Sequence, residues 1–273
     1  MVDSRGAAGT LVLADHIDPR APLAVCLHGI GCDGRYFQLN GNSWIDAASG
    51  RGLPCLVMDR PGYGRSAPAL ASPLESGAAA IFEILDVVAR RYPALGQRPI
   101  ALVGHSFGGA VALTAAKSLR ERGELAAVCL AGIGDVPNPE YGAAFGGIMQ
   151  RPAPYWLFGP GSTYDWRGVT ALRASSCEWL REEIEELRDR WSERWMPLAS
   201  TIEAPVHFRL AEHERIWDAT AEGLERMSLS FTSSPLVDAA ILPDGGHLYE
   251  VHTRGPELTA SQVAFICAAA GLD

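Results

Sequence analysis

A serine stands between two glycines in the pentapeptide Gly-His-Ser-Phe-Gly, residues 104–108. An apolar run ends at this point, and helix-type apolar spacing resumes directly after it. A tight turn between a strand and a helix would strain the serine backbone and expose its hydroxyl, and side chains at Gly104 and Gly108 would collide across that turn. The pattern predicts that Ser106 is a nucleophile. A glycine-rich turn without chemistry is the alternative, because the pentapeptide also occurs by chance.

A serine nucleophile needs a general base, for which histidine is the usual residue. His247 follows the last strand-like run in a glycine-rich loop, and this position suits a base best among the seven histidines. His105 adjoins the serine, but side chains alternate along a strand, so we expect His105 to point away. His28 ends another strand-like run. A loop histidine with no role is the alternative for His247.

The segment LHGIG, residues 27–31, ends a strand-like run with a His-Gly pair. A hydrolase needs hydrogen-bond donors where the carbonyl oxygen becomes negative, and backbone N–H groups after a strand are fixed before the reaction. The N–H groups of Ile30 and Phe107 are therefore candidates for an oxyanion hole. By itself, LHGIG is more typical of an ordinary turn that ends a strand.

Short apolar runs alternate with helix-type stretches along the chain, which predicts a parallel sheet with crossover helices. Several runs are apolar at consecutive positions, as is typical of strands covered on both faces. One helix is predicted after Ser72, with Pro73 at its first position and Glu75 three residues after the cap. A closing helix is predicted over residues 256–272. The predicted strands are residues 10–16, 22–28, 53–59, 99–105, 125–132, 205–211 and 236–242.

Residues 134–198 interrupt this alternation and contain five of the seven tryptophans. Residues 176–191 place apolar side chains at helical spacing, which predicts one amphipathic helix. Its apolar face would be formed by Leu180, Ile184, Leu187 and Trp191. We expect an inserted helical lid between two core strands, with the core formed by residues 1–133 and 199–273.

Composition excludes several classes of protein. The 273 residues are 48% apolar and 20% charged, the balance of a soluble globular protein. The net charge is −9 and no basic stripe is present, so we expect no nucleic-acid partner. No apolar run reaches the length of a membrane span, and no secretion signal is predicted, so a cytoplasmic protein is expected. Six cysteines without a Cys-x-x-Cys pair argue against a structural zinc site.

These motifs together resemble the α/β-hydrolase superfamily, in that family's order and at ordinary distances, over about residues 22–270 without the lid. The motifs are His28-Gly29, DRPGYGRS of residues 59–66, GHSFGG of residues 104–109 and the GGH that ends at His247. The resemblance implies an α/β fold with a mostly parallel central sheet and helices on both faces. It implies Ser106 as nucleophile, His247 as base, and an oxyanion hole from the N–H groups of Ile30 and Phe107. It also implies an architectural role for Asp59.

The resemblance leaves the triad acid open among three carboxylates. Family members usually carry the acid after the penultimate core strand, in a pattern like Gly-Glu-x-Asp. The segment LAEHERIW places Glu214 at that aspartate, with Glu212 two residues away. Asp135 follows the preceding strand, which is the position that some family members use. Any of these could fix the imidazole tautomer and stabilise the imidazolium, and Glu214 is the acid we expect.

Serine at position 106 disfavours the branches of the family that attack through an aspartate, the epoxide hydrolases and haloalkane dehalogenases. Serine attack followed by water suits a carboxylic ester, thioester, lactone or activated amide, through an acyl-enzyme. This chemistry requires no metal or organic cofactor. A carbon–carbon bond hydrolase with the same triad is one alternative. A ligand-binding or isomerising protein on the same fold is another.

The expected lid bears on the substrate. Its tryptophans, of which Trp156, Trp166 and Trp179 are the candidates, could line an apolar pocket for a medium-sized, partly apolar small molecule. Packing of these rings onto the core is the alternative. Four glutamates of the amphipathic helix are expected to form a solvated face. They are Glu182, Glu183, Glu185 and Glu186.

Overall fold

The computed structural model describes residues 1–4, 6–69, 71–145 and 152–272. Residues 146–151, which fall within the predicted lid, lie outside this part of the chain. The strands are β1 (Val2–Asp3), β2 (Ala8–Val12), β3 (Leu23–Leu27), β4 (Gln38–Leu39), β5 (Asn42–Ser43), β6 (Cys55–Asp59), β7 (Ile100–His105), β8 (Leu125–Ala131), β9 (Val206–Ala211) and β10 (Val237–Leu242).

The helices alternate with these strands, and three short 3-10 turns lie at Gly34–Phe37, Gly161–Thr163 and Tyr249–Val251. The helices are α1 (Trp44–Ser49), α2 (Pro73–Arg91), α3 (Pro93–Gly96), α4 (Phe107–Glu121), α5 (Pro139–Phe145), α6 (Ala153–Leu157), α7 (Trp166–Ser175), α8 (Arg181–Asp189), α9 (Trp191–Ala199), α10 (Ala221–Leu229) and α11 (Gly255–Ala269).

Eight of the described strands form one sheet in the order β1-β2-β6-β3-β7-β8-β9-β10. The pairs β1–β2 and β2–β6 are antiparallel, and the pairs from β6 to β10 are parallel. The predicted fold class, an α/β fold around a mostly parallel sheet, is therefore confirmed. The parallel strands bring their carboxyl ends to one edge of the sheet, where ligands bind in folds of this kind.

The central strands are buried along their whole length because helices cover both faces of the sheet. Along β3, Val25 packs with the apolar residues of α2 and α4 on one face. Its neighbour Cys26 packs with α1 and α11 on the other face. The side-chain alternation of a strand thus divides the apolar residues between two cores. Burial on both faces explains why these strands appear in the sequence as continuous apolar runs.

All the predicted core strands are present, with small differences at their ends. The largest difference is in β2, which spans Ala8–Val12 where residues 10–16 were predicted. The pairing with β6 explains this end point, because Val12 lies opposite Cys55, the first residue of β6. Beyond Val12 the chain has no neighbouring strand residue to pair with. The seven predicted strands correspond to β2, β3, β6, β7, β8, β9 and β10, of which β2 runs antiparallel to its neighbours.

Helix α2 begins at Pro73 as predicted, but the Ser72 side chain does not cap it. The Ser72 hydroxyl contacts the carboxylate of Glu75 and lies 2.8 Å from both carboxylate oxygens of Glu186 in α8. The hydroxyl donates to a carboxylate, and its oxygen does not accept an N–H group of the first turn of α2. Ser72 therefore links α2 to α8.

The segment 134–198, which we call the insertion, holds helices α5 to α9 between β8 and β9. The single helix predicted over residues 176–191 is wrong: α8 and α9 are separate helices. Arg190 breaks the helix between them, with φ −134° and ψ −20°. Residues before α8 are extended because Ser176 pairs with Cys32 and the Cys177 N–H donates to the Gly31 carbonyl.

Two tryptophans of α9 belong to the core. Trp191 and Trp195 are fully buried, and their indole N–H groups donate to the Gly134 carbonyl and the Ser230 hydroxyl, both at 2.7 Å.

All six cysteines are free thiols. Among the described helices, none has the length and apolar character needed to cross a bilayer.

The buried His207 of β9 makes the stability of the protein depend on pH. Burial, and after it the positive charge of Arg209, lower the pKa of His207 to about 3. An unfolded chain binds a proton at this residue below about pH 6.5, whereas the folded protein leaves it neutral. The unfolded state therefore holds more protons between these values, and the free energy of unfolding falls as the pH drops from 6.5.

Replacing His207 with glutamine should make the stability less sensitive to acid. Between pH 7.5 and pH 5 the wild type should lose about 2 kcal/mol more of its unfolding free energy than His207→Gln. Urea unfolding followed by tryptophan fluorescence at both pH values measures this difference. The exposed His16 provides the control, since His16→Gln should keep the wild-type pH dependence. Equal pH dependence in the two variants would contradict the assignment.

Candidate active site

Ser106 stands between β7 and α4 with φ 53° and ψ −125°, a strained conformation for a residue other than glycine. The flanking glycines make this turn possible. A Cβ on Gly104 would lie 2.6 Å from the Gly108 carbonyl oxygen, and a Cβ on Gly108 would lie 2.0 Å from the Leu27 carbonyl oxygen. Both distances are far below contact, so neither position tolerates a side chain. The turn directs the Ser106 hydroxyl out of the carboxyl end of the sheet.

The structure brings Ser106, His247 and Glu214 into one hydrogen-bonded line. The Ser106 hydroxyl lies 2.9 Å from His247 Nε2, and His247 Nδ1 lies 2.8 Å from Glu214 Oε2. Both the imidazole and the carboxylate are buried. A proton on Nδ1 donates to the carboxylate, so Nε2 is free to accept the serine proton. The other carboxylate oxygen accepts the Ile216 N–H at 2.9 Å, which fixes the orientation of Glu214.

The other two candidate acids do not contact His247. Glu212 lies with its side chain half exposed, where Oε2 accepts the Asp244 N–H at 3.0 Å. Asp135 forms two hydrogen bonds with the Arg226 guanidinium, at 2.8 and 2.9 Å. These carboxylates therefore have structural partners of their own.

One set of variants tests which of the three carboxylates is the acid that orients His247. Glu214→Gln should give the largest fall in kcat, about 10⁴-fold, because a neutral amide favours the wrong tautomer of His247. Glu212→Gln should leave kcat near the wild-type value, and Asp135→Asn should mainly lower stability through loss of the Arg226 pair. Initial rates and melting temperatures measured under matched conditions give both readouts. Near-normal kcat in Glu214→Gln would require another acid.

The loop that follows β3 lies directly against the serine. A Cβ on Gly29 would come within 3.1 Å of Ser106 Cβ, so the backbone of this loop passes close to the hydroxyl. The N–H groups of Ile30 and Phe107 donate no hydrogen bond to any residue that the structure describes. Ile30 lines the same cavity as Ser106, and Phe107 begins α4, where N–H groups are unpaired. Both N–H groups are thus free to bind an anion.

A cavity of about 310 Å³ opens in front of Ser106 and His247. Its walls are mostly apolar and come from the loop after β3, the insertion and the segment after β9. Its apolar lining residues include Ile30, Tyr141, Leu157, Leu172, Trp179, Ile184, Leu187, Ile216, Trp217 and Leu248.

Two of the three tryptophans expected in the pocket do not line this cavity. Trp156 is buried and packs edge-on against Tyr141 and Tyr155, with ring centroids 5.1 and 4.9 Å apart. Trp166 lies at the surface, 64% exposed. Trp179 does line the cavity. The placement differs because each ring is fixed by its own neighbours in the insertion, and tryptophan content by itself does not specify them.

The expected solvated face of α8 is wrong at two of its four glutamates. Glu183 and Glu186 are buried, because each pairs with an arginine of another helix or loop. They flank Ile184 and Leu187, which line the cavity. Spacing does not separate them from the other two glutamates, since Glu182 and Glu185 are also three residues apart.

His105 lies beside the triad. Its ring stacks on Tyr36 at 5.0 Å between centroids and lies edge-on to His247 at 5.2 Å. Its Nδ1 is 3.4 Å from Glu250 Oε1. The Ser106 hydroxyl contacts His247 Nε2, while His105 lines the same cavity. His105 instead forms part of the wall behind His247.

A sheet of this topology has the architecture of an α/β hydrolase when its carboxyl edge carries a strained serine turn hydrogen-bonded to a histidine and a carboxylate. A model of the Alpha/beta hydrolase family matches residues 24–262. The chain therefore belongs to the Alpha/beta hydrolase family. No curated protein sequence shows significant similarity to it.

Solved structures share this fold at low sequence identity. A highly thermostable carboxyl esterase from Bacillus coagulans has a TM-score of 0.74 and 13% identity, covering 99% of this chain and 98% of that one. A monoacylglycerol lipase from Paleococcus ferrophilus has a TM-score of 0.69 and 18% identity, covering 96% and 99%. The enol-lactonase from Burkholderia xenovorans has a TM-score of 0.68 and 16% identity, covering 95% and 96%. These structures show that the fold is shared.

Proposed function

We propose that the protein is a serine hydrolase that cleaves a carboxylic ester or thioester through an acyl-enzyme. The observation that carries the proposal is the hydrogen-bonded line from Ser106 through His247 to Glu214, which opens into an apolar cavity. A binding protein does not need this arrangement, since a strained serine and a buried carboxylate both cost stability. The similar structures carry the names esterase, lipase and lactonase, which agrees with ester chemistry.

The proposed reaction has two halves. His247 Nε2 takes the proton of Ser106 as the hydroxyl oxygen attacks the substrate carbonyl, and the N–H groups of Ile30 and Phe107 bind the developing oxyanion. His247 then gives the proton to the leaving alcohol or thiol, which departs and leaves an acyl-enzyme. In the second half, His247 activates a water that releases the acid and restores Ser106. Glu214 holds the imidazole in place and stabilises its charged form throughout.

The cavity defines the size and polarity of the substrate. Its volume of about 310 Å³ is at the lower end of the range for small-molecule sites, roughly 300–1,000 Å³. Apolar walls around Ser106 suit a medium-sized acyl or aryl group. The insertion acts as a lid in this proposal, because Trp179, Ile184 and Leu187 all contribute to the wall.

A substrate panel tests the proposal. p-Nitrophenyl esters of short, medium and long acyl chains, acyl thioesters and vinylogous diketones are assayed beside Ser106→Ala. We expect medium-chain esters or thioesters to be cleaved best, with activity abolished in the variant. Cleavage of the diketones alone would identify a carbon–carbon bond hydrolase with the same triad. Binding without turnover would identify a ligand-binding or isomerising protein.

A further inference from the structure

Glu183 in α8 forms a fully buried ion pair with Arg60, which follows β6. Both side chains are no more than 2% exposed. Arg60 Nη1 contacts Glu183 Oε1, and Nη2 lies 3.2 Å from Oε2. The guanidinium also stacks over the rings of Phe107 and Tyr63, with its Cζ 4.8 and 4.9 Å from their centroids. Burying two charges carries a large desolvation cost, so the pair persists only while both partners stay in place.

The remaining donors of Arg60 bind the loop of residues 28–31, which we call the oxyanion loop. Arg60 Nε donates to the His28 carbonyl at 2.7 Å, and Nη2 donates to the Gly29 carbonyl at 3.0 Å. The Arg60 backbone N–H donates to His28 Nε2 at 3.1 Å. Burial, and then the charge of Arg60, hold the pKa of His28 well below its usual range, so this nitrogen stays an acceptor. One arginine therefore fixes the loop directly before Ile30.

Tyr63 fixes the same loop directly after Ile30. Its hydroxyl accepts the Gly31 N–H at 3.2 Å and donates to Glu183 Oε2 at 2.7 Å. The carboxylate of Glu183 thus binds both side chains that hold the oxyanion loop. A helix of the insertion and the backbone around Ser106 are connected through two buried side chains.

We infer that Glu183 is a positioning residue, which holds Arg60 and Tyr63 so that the Ile30 N–H stays aimed at the oxyanion. The inference rests on the proposed function. Removing the charge of Glu183 leaves a buried, uncompensated guanidinium, which must turn towards water and release the His28 and Gly29 carbonyls. The position of α8 over the cavity is thereby coupled to the geometry of the oxyanion hole.

Glu186 offers a matched control on the same helix. It is also buried, and its carboxylate binds Ser72 at 2.8 Å and Arg194 at 3.1 Å. These partners lie in α2 and α9, away from the oxyanion loop. Glu183→Gln and Glu186→Gln therefore remove the same charge from the same buried helix face, but only the first removes a partner of the loop.

Hydrogen–deuterium exchange and steady-state kinetics of the full chain test the inference. Glu183→Gln should raise deuterium uptake in the peptide covering residues 27–33 and lower kcat by about 10- to 100-fold with little change in KM. The reason for this split is that the Ile30 N–H binds charge that develops in the transition state. Glu186→Gln should change neither the loop uptake nor kcat, even where it lowers the melting temperature. Should Glu183→Gln not fold, Glu183→Asp, which keeps the charge but shortens its reach, carries the same comparison.

The double variant Arg60→Met/Glu183→Gln separates positioning from stability. It removes both charges and leaves an amide oxygen for the Tyr63 hydroxyl, so the melting temperature should recover relative to Glu183→Gln. The activity should not recover, because no side chain holds the His28 and Gly29 carbonyls. Recovery of kcat together with stability would overturn the inference and leave Glu183 a structural role alone.

The outcomes also distinguish this inference from the proposed function. Equal loop exchange in Glu183→Gln and Glu186→Gln would overturn the inference whatever the substrate. A wild-type protein that cleaves no ester or thioester would refute the proposed function, while a selective rise in loop exchange would still support the coupling of Glu183 to the loop.

Discussion

Replacing Ser106 with alanine is expected to lower kcat by a factor on the order of 10⁴ to 10⁶, as loss of the nucleophile does in a working triad. The fold should remain intact, because alanine removes one oxygen from the turn and keeps its backbone. The Ser106 hydroxyl is the group 2.9 Å from His247 Nε2, and no neighbouring side chain can replace it in that line. The assay is hydrolysis of the best ester or thioester of the panel, with circular dichroism to check folding.

Labelling gives an independent measurement of the same assignment. A fluorophosphonate should modify the wild type at Ser106, located by mass spectrometry of the digested protein, and should not modify the alanine variant. Ser118 on α4 supplies the control, since Ser118→Ala should keep both activity and labelling. Retention of more than a tenth of the wild-type activity in Ser106→Ala would refute the nucleophile assignment.

Replacing His247 with alanine should be about as damaging as loss of the serine, because the two side chains act as one unit. Without the imidazole, Ser106 has no acceptor for its proton, and the buried Glu214 carboxylate loses its hydrogen bond with Nδ1. The expected fall in kcat is again on the order of 10⁴ to 10⁶. The same steady-state assay measures it.

The double variant Ser106→Ala/His247→Ala tests whether the two residues form one unit. Its kcat should be little lower than that of either single variant, since each single change already disables the line. If the loss of kcat in the double variant equalled the product of the two single losses, another histidine would be the base. His105 and His28 are the nearest candidates for that role, and alanine variants of each would then identify it.

Features that depend on short stretches of chain are predictable from the sequence. The turn at Ser106 is one of them, because a Cβ on Gly104 would collide with the Gly108 carbonyl oxygen of the same turn. At Gly108 the collision is with the Leu27 carbonyl oxygen at the end of β3, which only the folded chain brings there. The parallel strands are another, since burial on both faces makes each of them a continuous apolar run. The sequence also singles out His247, because it lies in a glycine-rich loop directly after the last strand-like run.

The folded structure alone shows which of the three carboxylates contacts His247. Glu212 and Glu214 follow the same strand two residues apart, and the sequence does not show which of them turns inward. Glu214 is fixed by hydrogen bonds to the Ile216 N–H and to His247, whereas Glu212 binds the Asp244 N–H at the surface. Asp135 does not contact His247 but accepts a hydrogen bond from Arg226, which is 91 positions away along the chain.

The insertion shows the same limit of the sequence most clearly. Glu183 resembles a solvated glutamate in a charged helix, yet it is buried against Arg60 from another segment. Trp156 resembles a pocket residue, yet it is buried against Tyr141 and Tyr155 of the insertion. Arg60, which pairs with Glu183, is 123 residues away in sequence. Local patterns report which face of a helix is apolar, but burial of a charge depends on whether a distant group of opposite charge reaches it. The contact between Arg60 and Glu183 depends on how the whole chain packs. The link between α8 and the oxyanion loop is therefore visible in the structure alone.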